Sequence, residues 1–362
     1  MTTDTLGGVW TYSLDMCKAL QPYNVEVYLV SLGKLPGLQQ QNDANAIKNI
    51  HLYSRNYHLE WMENPWQDVM KTQHWLEELY DEIQPDLVQL NNFTFFKNPV
   101  CCPVILVYHS CVQTWWKAVK KHRAPATWDR YTKWVQKSLN SSNLVVAPTE
   151  AMLKSALKTH GFSTEAKVIY NGRDLEVSES TGKKEFILCA GRIWDEAKNL
   201  NILSRIAEDL PWPVYVAGNA VNPNTGEKAN IKNVRFLGEL TSKELQLWMQ
   251  QASIFLSPVK YEPFGLAILE AAASGCALAL NDIDTLRELW DEAAEFFNAE
   301  DVSEIKESLI KIIEDPAYLQ QLSSEARERA KEFNLEKAGE KYYQLYRNLI
   351  NQHKTNQLTP AL

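Results

Sequence analysis

The sequence predicts an α/β fold built from two successive parallel-sheet domains. Short apolar runs that read as strands alternate with stretches of helical spacing along nearly the whole chain, the alternation that gives a parallel sheet. A polar, turn-rich stretch around residues 165–184 interrupts this rhythm, which then restarts. Length agrees, since 362 residues suit two or three domains of about 150 residues each. We place a first domain at 1–168, a second at 169–335, and at 336–362 a closing helix with a loose polar tail.

Composition narrows the function. Hydrophobic residues make up 45% of the chain, which is ordinary for a globular protein. No apolar run approaches the roughly 18 residues of a membrane span, and no signal-peptide pattern opens the chain, so a cytoplasmic protein is expected. The six cysteines, Cys17, Cys101, Cys102, Cys111, Cys189 and Cys276, form no C-x-x-C pair and mostly sit in apolar surroundings. That pattern suits reduced core thiols and disfavours zinc or a disulfide framework. With a net charge of −8 the chain offers no field for nucleic acid, so an anionic ligand would need local cations.

In chain order, MTTDTLGGVW gives only Met1 to Thr3 before a turn at Asp4 to Gly8. Either the first strand is short or the translation start lies upstream. Gly7 and Gly8 allow close backbone approach, and Val9, Leu14, Cys17 and Leu20 follow at helical spacing. Strands are expected at Val25 to Gly33, His51 to Arg55, Pro85 to Asn92 and Pro103 to Ser110, with a helical segment from Trp61 to Ile83. His109 closes the last of these strands, at the end where parallel sheets present ligands. After it, Trp115 and Trp116 precede a basic run of Lys117, Lys120, Lys121, His122 and Arg123. Three readings stay open: an acceptor platform, a peripheral contact with anionic lipid, and a plain amphipathic helix. Thr149 is placed to cap another helix.

The second domain opens with a strand ending at Gly191, followed by Arg192 and, six residues later, Lys198. Two fixed cations there would suit an anionic leaving group. Further strands are expected at Val214 to Ala220, Asn233 to Leu240, and before and after the stretch EPFGLAILEAAASG, Glu262 to Gly275. This stretch organises the chain. Pro263 bends it, Gly265 opens a run of helix formers, and Gly275 ends it. The first amides of that helix, on Phe264, Gly265 and Leu266, could serve a phosphate. Glu262 and Glu270 bracket the helix start.

Glu262 with Pro-Phe-Gly after it, Glu270 after seven intervening residues, and a small-residue helix end together resemble the retaining glycosyltransferases of family 4. The resemblance covers essentially the whole chain except the shortened start and the segment after His109. It implies the GT-B fold, two Rossmann-like domains facing across a cleft, with a last helix, Ala338 to Ile350, crossing back to the first. It also implies transfer of a hexosyl group from a nucleoside diphosphate sugar, most commonly a UDP-sugar, to a hydroxyl acceptor that is a glycan, lipid-linked or small molecule. By resemblance, Glu262 contacts the transferred sugar and Glu270 the ribose hydroxyls. Arg192 and Lys198 clamp the diphosphate, Gly7 and Gly8 face it, and His109 touches the donor sugar or its phosphate. Asn171 and Gly172 match the Asn-Gly at the domain junction.

No metal or other cofactor is expected: in the architecture the resemblance implies, Arg192, Lys198 and the helix amides would neutralise the diphosphate. On the same ground Asp282-Ile-Asp284 is not read as a metal motif. Nor do Glu262 and Glu270 read as a double-displacement pair. That chemistry needs carboxyls roughly 5 Å apart, whereas eight helical residues span about 12 Å. The rival readings are a non-catalytic nucleotide-sugar-binding or scaffold protein of a polysaccharide assembly complex, a GT-B-fold epimerase and a phosphorylase.

Overall fold

The computed structural model describes residues 1–174, 182–221 and 226–358. It divides into two compact units. Met1–Lys117 and His122–Gly172, joined by the chain from Leu335, form the first; Arg173–Asn334, with Ala118–Lys121, form the second. Most of the polar run expected as a linker, residues 175–181, lies outside the described residues.

In the first unit, strands β1 (Thr2–Asp4), β2 (Val27–Leu32), β3 (Ile50–Ser54), β4 (Val88–Leu90), β5 (Val104–Val107), β6 (Leu144–Ala147) and β7 (Ala166–Val168) are all parallel. Between them run α1 (Gly8–Leu20), α2 (Leu38–Asn45), α3 (Trp66–Ile83), α4 (Val112–Lys120), α5 (Asp129–Asn140) and α6 (Glu150–His160). Thr149 caps α6 as its sequence position predicts, its hydroxyl accepting from the Met152 amide at 3.1 Å. The strands form two ladders, β1-β2-β3 and β4-β5-β6-β7. Asn91 bridges the two ladders: its backbone amide donates to the Thr2 hydroxyl at 2.8 Å and its side chain donates to the Thr2 carbonyl at 2.7 Å.

The second unit holds β8 (Lys184–Ala190), β9 (Val214–Ala217), β10 (Arg235–Gly238), β11 (Ala252–Ser257), β12 (Ala277–Asn281) and β13 (Glu295–Phe297) in one parallel sheet of order β10-β9-β8-β11-β12-β13. Its helices are α7 (Leu203–Ile206), α8 (Ser242–Gln251), α9 (Leu266–Ala273), α10 (Asp284–Trp290), α11 (Val302–Glu314) and α12 (Pro316–Ala330). Ile187, Val216, Ile254 and Leu256 from the sheet pack with Ile305, Leu309 and Ile312 of α11. Each such side chain contributes about 1.5–3 kcal/mol of burial free energy.

The last helix, α13 (Leu335–Leu358), belongs to the first unit. Tyr342, Leu345 and Tyr346 bury beside Cys17 and Leu20 of α1. The tail expected to be loose from Asn351 is helical through Leu358. It is polar but free of Gly and Pro over those residues, so nothing in it breaks the helix. Residues 359–362 of that tail lie outside the described residues. No helix of the described residues is long and apolar enough to cross a membrane.

Candidate active site

In the second unit the strand order reverses between β8 and β11, so their following loops leave in opposite directions. A crevice at the carboxyl ends of such a strand pair is where open α/β sheets bind ligands. Arg192 and Lys198 follow β8, and Glu262 and α9 follow β11, so four of the residues singled out from sequence share this switch point.

Backbone contacts fix the two loops together. The Lys260 amide donates to the Ala197 carbonyl at 2.8 Å, and the Asn199 side chain donates to the Pro258 carbonyl at 3.1 Å. Held this way, the Lys198 ammonium meets a Glu262 carboxylate oxygen at 2.5 Å, with both side chains mostly buried. The Glu262 carbonyl accepts from the Thr285 hydroxyl at 2.6 Å. The loop after β8 also passes close to Gly218, where an added Cβ would lie 1.8 Å from the Gly191 carbonyl oxygen.

Helix α9 begins at Leu266, capped by Gly265 at φ 89°. Only glycine suits that cap: a Cβ would be strained by the backbone and would sit 2.9 Å from Ile268 Cδ1. The Ile268 and Leu269 amides turn back to the Gly265 carbonyl. Among the described residues the amides of Phe264, Gly265 and Leu266 make no hydrogen bond, which leaves them available to an anion. The Phe264 ring is buried against Phe333.

Two partners escaped the sequence reading. Arg173 places a guanidinium nitrogen 2.6 Å from Glu270, and its own amide is anchored to the Phe333 carbonyl at 3.1 Å. Asp195, nearly buried, accepts from Arg192 at 2.7 Å and from the Ala197 amide at 3.0 Å. Arg173 lies directly after the Asn171-Gly172 pair, and Asp195 three residues after Arg192; a search for charge complements to the chosen cations and carboxylates would have raised both. Three cations and three carboxylates are thus paired as Arg173–Glu270, Arg192–Asp195 and Lys198–Glu262. An anion entering here would meet cations already positioned, the arrangement that stabilises developing charge with little reorganisation. Asp282 is engaged by Arg287 through two contacts of 2.8 Å.

In the first unit β1 and β4 belong to separate ladders, linked by the hydrogen bonds of Asn91 to Thr2. Gly7, at φ 84°, caps α1 directly after β1, and Gly8 is its first residue. His109 follows β5, with Nε2 3.1 Å from Asn91 Oδ1 and its ring edge-on to Tyr12 at 4.6 Å. Burial lowers its pKa to about 4, so the ring is neutral near pH 7. Trp115 and Trp116 lie half-buried on α4, with ring centroids 6.0 Å apart. Among the described residues no ring contact joins them to His109.

Two family models together span residues 6–329. The model described as Glycosyltransferase Family 4 matches 6–177, and the one described as Glycosyl transferases group 1 matches 172–329. The chain belongs to glycosyltransferase family 4. Its α/β units have the GT-B fold: the chain is similar to sucrose-phosphate synthase from Thermosynechococcus elongatus at a TM-score of 0.77 and 17% identity, over 96% of this chain and 94% of that one. Anabaena Alr3699/HepE, solved in complex with UDP and glucose, gives 0.71 at 15% identity over 96% and 100%. Among curated proteins, a lipopolysaccharide core biosynthesis mannosyltransferase, LpsB of Rhizobium meliloti, is 26% identical over 46% of this chain and 52% of that one. A glycogen synthase of Mycobacterium tuberculosis is 33% identical over 27% and 24%. The chain therefore spans about half or less of the length of these curated relatives.

Proposed function

We propose that this family 4 protein transfers a hexosyl group from a nucleoside diphosphate sugar to an acceptor hydroxyl, with retention at the anomeric carbon and without a metal. The observation that carries the reading is the pairing of Lys198 with Glu262 and of Arg173 with Glu270 around the open amides of α9. Arg192 and Lys198 bind the diphosphate, Glu262 orients the sugar, and Glu270 accepts hydrogen bonds from the ribose. In the first unit, His109 and the Gly7–Gly8 turn are the proposed donor contacts, and Trp115 and Trp116 the proposed acceptor contacts. The bond from the anomeric carbon to the diphosphate oxygen breaks, the acceptor oxygen bonds to that carbon on the same face, and its proton passes to the departing phosphate. Charge grows on the phosphate during this step, where fixed cations contribute most. Relatives support a UDP-sugar donor and a role in polysaccharide or glycoconjugate synthesis: HepE was solved with UDP-glucose, and LpsB is described as a lipopolysaccharide core mannosyltransferase.

The test is calorimetry of the purified protein against UDP, GDP, ADP and their common sugars with EDTA present, followed by transfer assays with the nucleotide-sugar that binds. Metal-independent binding and an α-linked product from an α-linked donor are expected. A folded protein that binds none of them would favour the scaffold reading.

A further inference from the structure

The seam of the first unit carries a buried polar chain that fixes which ring nitrogen of His109 holds the proton. Asn91 is the key, because its side-chain NH2 donates to the Thr2 carbonyl at 2.7 Å, and a carbonyl can only accept. The amide orientation follows from that bond. Asn91 Oδ1 therefore faces the other way, toward His109 Nε2 at 3.1 Å and Gln89 Nε2 at 3.2 Å. Gln89 is oriented consistently. Its Nε2 also donates to the Tyr12 hydroxyl at 3.3 Å, and its Oε1 accepts from the Tyr346 hydroxyl of α13. A flipped Gln89 would set two oxygens against each other at Asn91.

Two acceptors cannot hydrogen-bond to one another, so with Asn91 Oδ1 in place the donor must be His109 Nε2. A neutral imidazole has one N–H, and the other nitrogen then offers a lone pair. Nδ1 makes no hydrogen bond to any described residue and is not among the enclosed polar atoms, so it is open to a ligand.

We propose that Asn91, held by Thr2 and by the Tyr346–Gln89 pair, locks His109 as the Nε2–H tautomer, so that Nδ1 accepts a hydrogen bond from a sugar hydroxyl and does not serve a phosphate oxygen. The ligand half of this inference rests on the proposed nucleotide-sugar chemistry; the tautomer half does not. The lone pair of Nδ1 repels an anionic oxygen and welcomes an O–H, so this position reads the sugar part of a donor. Asn91, Gln89 and Tyr346 are positioning residues, acting through the histidine.

Nitrogen-15 long-range correlation spectra of the full chain at pH 7 test both halves, with the His109 signals identified by their loss in His109→Asn or by their response to Asn91→Leu. The expected result is a pyrrole-type Nε2 and a pyridine-type Nδ1 in the free protein, replaced in Asn91→Leu by an averaged, mixed-tautomer pair. A pyrrole-type Nδ1, or an imidazolium, in the wild-type spectrum overturns the lock, and the wild-type spectrum decides even if Asn91→Leu does not fold. Unchanged shifts in a folded Asn91→Leu overturn the role of Asn91. UDP-glucose and UDP are then added separately at saturation. A change at Nδ1 with UDP-glucose alone supports the hydroxyl contact, and an equal change with UDP overturns it. If calorimetry shows neither compound bound, the functional reading fails while the tautomer result stands on the free-protein spectrum.

Discussion

Glu262 lies just before α9 and Glu270 within it, their partners differ, and the proposed function gives them different work. Glu270 pairs with an arginine anchored on the backbone at Phe333, whereas Glu262 pairs with Lys198 in the loop after β8. We expect Glu270→Ala to weaken nucleotide binding about tenfold or more, the scale of one lost charge-assisted contact. Glu262→Ala should leave nucleotide affinity unchanged and lower transfer by about 10²-fold or more. Equal affinity and equal turnover in the two variants would sink the assignment. Arg173→Met should weaken nucleotide binding like Glu270→Ala, and the double variant should cost less than the two single losses combined, since the pair acts together.

Glu60 makes a separate prediction at the same scale. It is buried, accepts from the Phe93 amide at 3.3 Å, and burial raises its pKa to about 7. The folded state then binds a proton that the unfolded chain has released, so this contribution to stability is fully present below about pH 4.5 and is lost as pH rises to about 7. Its size is about 3 kcal/mol at most. His109 and His160, both lowered to about 4 chiefly by burial, act in the opposite sense, losing stability as pH falls from 6.5 toward 4. Glu60→Gln should remove the first slope and leave the second, which denaturant titrations of wild type and variant between pH 4.5 and 8 would show.

At the scale of elements, glycines at strand and helix ends decide how closely the site's loops approach. Gly265→Ala would force a Cβ against Ile268 and a positive φ on a residue that resists it, costing about 1–3 kcal/mol. Its effect should exceed its stability loss: the displaced start of α9 would also weaken nucleotide binding, measurable by calorimetry under conditions where the variant remains folded. Gly218 is less tolerant still, because a Cβ there overlaps the Gly191 carbonyl. Much of this was visible in the chain. Gly265 before a run of helix formers, Pro263 ahead of it and the strand before them gave the loop-to-helix turn, because backbone freedom and helix propensity are local properties. Arg173 and Asp195 were not visible in the same way. Their importance lies in which carboxylate or guanidinium they meet, and Glu270 is far from Arg173 along the chain.

For the whole molecule, α13 returns to the first unit and reaches its polar seam through Tyr346. Gly339 lets it lie close to α1, and an added Cβ would come 2.5 Å from that of Ala19. Gly339→Val should therefore destabilise the first unit by about 1–3 kcal/mol, as overpacking does. Calorimetric scans should show the first unit's transition moving down while that of the second unit holds its temperature; a shift of both together would count against the division at Gly172 and Asn334.

The sequence by itself determined the α/β class, the alternation of strands and helices and the family, and it singled out Arg192, Lys198, Glu262 and Glu270 as candidates. These rest on periodicity, turn chemistry and short motifs, all of which are encoded within a few neighbouring residues. Only the tertiary structure decided that Arg173 holds Glu270, that Asp195 holds Arg192, that Asn91 spans the seam between two ladders, and which nitrogen of His109 stands open. Arg192 and Asp195 are only three residues apart, but the other contacts join residues 18 to 97 positions apart, and which of those meet is set by sheet order, which no local pattern contains.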